Sequence, residues 1–73
     1  MPIIDMKATG VNIKTMIKQN GFKIADVQAR CGFNTPQAIF KWQRGETMPT
    51  LDNIVVLSEL FNTTIEEIVV VER

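Results

Sequence analysis

The stretch "GFNTPQAIFKWQRGETMPT", Gly32 to Thr50, decides how the chain is read. Thr35-Pro36 is a helix start, because a threonine hydroxyl accepts from free N–H groups and proline suits the first helical position. Gly45 is the stop. Between them, Pro36 to Arg44 forms a short helix with the chain's one tryptophan, a phenylalanine, two glutamines and two cations. On a wheel of about 100° per residue with Gln37 at zero, Lys41 falls near about 40° and Arg44 near about −20°. Phe40 lies at about −60° and Ala38 at about 100°. Ile39, Trp42 and Gln43 lie between about 140° and 240°. Ile39 and Trp42 therefore make a buried stripe. The opposite face offers an amide, an ammonium and a guanidinium on consecutive turns. Such a face is either a solvated surface or a surface that reads something.

Four more helices flank this one. Asp5 is an N-cap for a first helix that runs to about Asn20, where Asn20-Gly21 stops it. Its apolar positions are Val11, Ile13, Met16 and Ile17. Gly10 weakens it by about 1 kcal/mol relative to alanine. Lys23 or Ile24 opens a second helix that Gly32 closes, with Val27 and Cys31 as an i, i+4 pair. Pro49 holds a loop, and Thr50 caps a fourth helix over Leu51–Phe61. Thr64 with Glu67 forms a capping box for a short fifth helix. Pro2–Ile4 and Val69–Val71 are β-branched, which favours short extended terminal strands.

Seventy-three residues make a single domain spanning 1–73, of a size where one core gives marginal stability. One cysteine and no histidine leave no disulfide framework and no usual zinc ligand set. Cys31 reads as a small buried apolar residue, and its solitude suits a reducing, cytoplasmic setting. No apolar run reaches the roughly 18 residues of a membrane span. No cofactor, metal or small-molecule ligand is implied. The net charge is zero but unevenly spread. Residues 1–45 carry Lys7, Lys14, Lys18, Lys23, Arg30, Lys41 and Arg44 against Asp5 and Asp26, a balance of +5. Residues 46–73 carry Arg73 against six carboxylates, a balance of −5. A basic first part suits a polyanion, and an acidic second part suits solvent or protein.

The outer face of the third helix suits DNA. Glutamine pairs with an adenine edge, lysine donates to guanine or phosphate, and Ala38 or Phe40 can touch a thymine methyl. Two short helices joined through a glycine-containing turn, about residues 23–45, make a helix-turn-helix unit. The order of "IK", "NGF", Gly32, "AIFKWQRG", Pro49, "LDNIVVLSELF" and "TTIEEI" resembles the phage-repressor and Cro-like, or Xre-type, helix-turn-helix family over about Gly10 to Ile68.

The resemblance implies an all-α, compact five-helix domain binding double-stranded operator DNA, with helix 36–44 as recognition helix. It implies base contacts at Gln37, Ala38 and Lys41, and backbone contacts at Lys23, Thr35, Arg44 and Thr47. The chain departs from the family pattern in places. Ile17 and Gln43 stand where an Arg and a Glu often pair. Because both charges are missing together, no unpaired buried charge remains. Ile24 replaces a polar cap, Gln28 replaces a small residue, and the turn "GFNT" is one residue longer.

The expected function is a sequence-specific transcriptional regulator with no enzymatic step. The alternative is a protein-interaction module of antitoxin or adaptor type on the same fold. A homodimer is expected through the C-terminal half. In helix four, Leu51, Ile54, Val55, Leu57 and Phe61 make the core arc, while Val56 and Leu60 interrupt the polar side and form a candidate seam.

Overall fold

Asp5 opens the first helix, α1 (Met6–Gln19), by accepting a hydrogen bond from the Ala8 N–H at 3.0 Å. The computed structural model describes residues 3–72, so Pro2 of the expected first strand lies outside the described residues. After α1 come α2 (Ile24–Cys31), α3 (Gln37–Arg44), α4 (Leu51–Leu60) and α5 (Ile65–Ile68). Strands β1 (Ile3–Ile4) and β2 (Val71–Glu72) pair antiparallel, Ile3 with Glu72 and Ile4 with Val71. The second strand is thus shorter and later than Val69–Val71. Val69 instead ends α5, its N–H donating to the Ile65 carbonyl at 3.0 Å.

Capping residues account for most boundaries. Gly32 closes α2 and Gly45 closes α3. The Thr50 hydroxyl accepts from Asn53 N–H at 3.3 Å to start α4. Thr64 and Glu67 form the expected capping box of α5. The Thr64 N–H and the Thr63 and Thr64 hydroxyls hold the Glu67 carboxyl below the usual carboxylate range. One boundary differs. Pro36, not Thr35, is the N-cap of α3, and no side chain caps that helix. At the end of α4, Phe61 is the C-cap and packs into the core.

The core is one cluster: Ile13 and Ile17 of α1, Val27 of α2, Ile39 and Trp42 of α3, Ile54 and Leu57 of α4, with Phe61 and Ile68. Burial of each large aliphatic side chain contributes roughly 1.5–3 kcal/mol. Two ring pairs form at its edges, Phe22 with Phe61 and Phe33 with Trp42. Leu51 and Val55 of the expected core arc are outside, and so is Val11 of α1. Val11 is 60% exposed, Leu51 73% and Val55 42%. The core needs only Ile54, Leu57 and Phe61 from the fourth helical segment, and this spacing leaves the flanking positions in water.

The tightest packing is between α1 and α3, and glycine permits it. A Cβ on Gly10 would overlap the Trp42 carbonyl oxygen and lie 2.9 Å from that of Gln43. Gly45, in the left-handed region at φ 74°, would put a Cβ 2.8 Å from Lys7 Cα. The helix-weakening Gly10 is therefore a backbone contact point. One residue earlier, Thr9 is fully buried and its hydroxyl accepts from Val70 N–H at 2.9 Å. One turn further on, Asn12 Nδ2 donates to the Glu67 and Ile68 carbonyls, both at 3.2 Å, closing the end of α5.

Gly10→Ala raises intrinsic helix propensity by about 1 kcal/mol. It should nevertheless destabilise the domain by roughly 1–3 kcal/mol, because the new methyl meets backbone. Trp42→Ala should cost about 3–5 kcal/mol and unfold most of so small a domain. Urea unfolding followed by circular dichroism checks both. A Gly10→Ala protein more stable than wild type would refute the close approach.

Candidate nucleic-acid interface

The turn between α2 and α3 spans Gly32 to Pro36. Two groups brace its added length. The Gln28 side-chain amide donates to the Phe33 carbonyl at 3.2 Å, and the Phe33 N–H donates to the Gln28 carbonyl at 3.0 Å. The Phe33 ring then meets Trp42 edge-on, with centroids 5.6 Å apart. Gln28, unusual for a mid-helix position that is often small, thus ties the end of α2 to the turn. Phe33 ties the turn to the inner face of α3.

With Ile39 and Trp42 buried, α3 turns Gln37, Phe40, Lys41 and Arg44 outward. Lys23, Thr35 and Thr47 are exposed as well. Ala38 is half-buried and packs against the core, so less of it reaches the outer face than of its neighbours. Ile17 is buried and Gln43 half-buried at the sites of the missing ion pair. Among the described residues no buried side-chain polar atom lacks a partner, so the replacement leaves nothing orphaned.

Two carboxylates modify this surface. Arg44 pairs with Glu46, both side chains largely in water. That hydrogen bond, with the positive charges of Arg44 and Lys41, lowers the Glu46 pKa. At the start of α2, Asp26 accepts from the Lys23 N–H at 2.8 Å. Neither role emerged from composition, although Lys23 and Asp26 have the three-residue spacing of half a capping box. The start of α3 carries no such carboxylate.

The proposed dimer residues lie apart from α3 in sequence, on α4. Val56 and Leu60 are both half-buried, and Leu60 packs against the core beside Phe22. A more exposed set of apolar side chains lies elsewhere, in a groove lined by Ile4, Met48, Leu51, Ile65 and Val71. Cys31 is half-buried and burial raises its thiol pKa. Among the described residues no cluster of side chains could hold a metal ion, and no helix is long and apolar enough to cross a membrane.

Residues 13–68 match the family model described as helix-turn-helix. The fold is similar to that of the crystal structure of the DNA-binding domain of BldD, with a TM-score of 0.71 at 15% sequence identity. The match covers 89% of this chain and 93% of that one. No curated protein matches the sequence.

Proposed function

Because the chain belongs to the helix-turn-helix family, of the Cro-like type, we propose that it is a sequence-specific DNA-binding transcriptional regulator. The observation that carries this reading is the division of α3. Ile39 and Trp42 lock one side into the core, while Gln37, Lys41 and Arg44 are exposed on the other. Family membership favours this reading over a protein-interaction module.

In this reading α3 enters the major groove. Gln37 pairs with an adenine edge, Lys41 donates to guanine or a nearby phosphate, and Ala38 offers a small apolar contact. Lys23, Thr35, Arg44 and Thr47 engage the backbone and hold the register. The uncapped start of α3 gives free N–H groups toward a phosphate. Asp26 opposes phosphate near Lys23, and Glu46 competes for Arg44. Binding at Arg44 thus depends on exchange of a carboxylate for a phosphate. Regulation requires no catalytic step, and a cytoplasmic location follows from a DNA target.

Selection of bound duplexes from a random pool should enrich one motif. Gln37→Ala should relax preference at one position by roughly 1–3 kcal/mol. Lys23→Ala or Arg44→Ala should weaken all duplexes alike and lower the salt slope by about one. Unchanged affinity and preference in a Gln37→Ala/Lys41→Ala variant would show that α3 is not the reader.

A single unit of this size contacts few base pairs, so we infer a homodimer on two half-sites, joined through the C-terminal half. Val56 and Leu60 supply one seam. Exposed Leu51 and Ile65, in the groove with Ile4 and Val71 of the short terminal ribbon, supply a second apolar surface. Sedimentation of wild type should show a dimer at high micromolar concentration or on DNA, and Val56→Glu/Leu60→Glu should abolish it. A Leu51→Glu/Ile65→Glu variant that alone dissociates the dimer would move the seam to the groove. A wild type monomeric both free and on DNA would sink the dimer.

A further inference from the structure

The chain has five aromatic side chains. Phe22 pairs with Phe61, and Phe33 with Trp42. Phe40 belongs to neither pair and remains 39% exposed on the outer side of α3. Its place is specific. Gln37 is three residues before it and Arg44 four after it, so the ring stands between an amide and a guanidinium in one row of the helix surface. The uncovered part of this ring, on an otherwise polar face, contributes no burial to the fold.

We propose that Phe40 reads a pyrimidine C5-methyl group, that of thymine, in the major groove. This inference rests on α3 being the DNA reader. The ring has no hydrogen-bond donor or acceptor, so the polar edges of the bases are closed to it. A phosphate offers it no apolar contact. The one apolar feature that base pairs present in the major groove is the thymine methyl. Flanked by Gln37, the ring would touch a thymine next to, or opposite, the base pair that the amide reads. Removing that contact costs the burial of about one methyl group, a factor of roughly three to ten in affinity.

The test uses the duplex enriched in selection and replaces each thymine in turn by deoxyuridine, which pairs identically but lacks the methyl. Wild type should bind one substituted duplex about three to ten times more weakly and the others unchanged. Phe40→Ala should bind the parent duplex weakly and lose the distinction at that same thymine. Replacing this T·A pair by 5-methylcytosine·G should recover part of the affinity that unmethylated C·G loses. Circular dichroism melts of Phe40→Ala and Phe40→Leu check folding, with Phe40→Leu expected to retain part of the methyl effect. Full methyl discrimination in Phe40→Ala would overturn the proposal and assign the reading to another residue. Methyl indifference of wild type at every thymine would overturn it too, leaving the exposed ring to a protein contact. Failure of wild type to enrich any duplex would instead overturn the DNA reading beneath it.

Discussion

Backbone meets backbone where α1 and α3 touch, and this contact conditions everything outside it. Gly10 takes the Trp42 and Gln43 carbonyls against its Cα, and Gly45 takes the Lys7 Cα against its own. Side chains would hold the two helices apart at these points. Without them, Ile39 and Trp42 reach Ile13 and Ile17 in one cluster. α3 has only two turns, too few to be stable alone. Its orientation is therefore set by α1, and the outward direction of Gln37, Phe40, Lys41 and Arg44 follows from how its inner face is seated.

The same stretch of α1 holds the other end of the chain. Thr9 bonds the Val70 N–H and Asn12 bonds the last carbonyls of α5. Both polar side chains act on backbone that would otherwise be unsatisfied in a partly buried place. Three neighbouring residues of α1, Thr9, Gly10 and Asn12, thus face two different elements. A change that shifts α1 would disturb α3 and the C-terminal tail together. Ile17 adds apolar packing to the core without requiring a buried ion pair.

Much of this was legible in the residues. Asp5, Gly32, Gly45, Thr50, Thr64 and Glu67 marked helix ends, because capping is local chemistry. The wheel of α3 separated Ile39 and Trp42 from Gln37, Lys41 and Arg44 correctly, because its apolar residues are few and clustered. It failed for α4, where apolar residues occur nearly all round and periodicity cannot choose among them. Leu51 and Val55 fall on the core arc of that wheel, yet both side chains are exposed. Gly10 read as a defect, since close approach is a tertiary fact invisible to propensity. Likewise Gln28 read only as a departure, because the carbonyl it braces belongs to a turn whose path the residues did not reveal. Thr35 is a good cap by type, yet Pro36 already closes the entry to α3.

Chemical-shift mapping of the ¹⁵N-labelled protein, titrated with its selected duplex, tests most directly whether the seated helix is the reader. The largest changes are expected at the amides of Gln37, Phe40 and Lys41 and the side-chain amide of Gln37. Smaller changes are expected at Lys23 and Arg44, and none at Ile13 or Ile17 in the core. Changes concentrated at Leu51, Ile65 and Val71, with α3 unmoved, would contradict a reading role for α3.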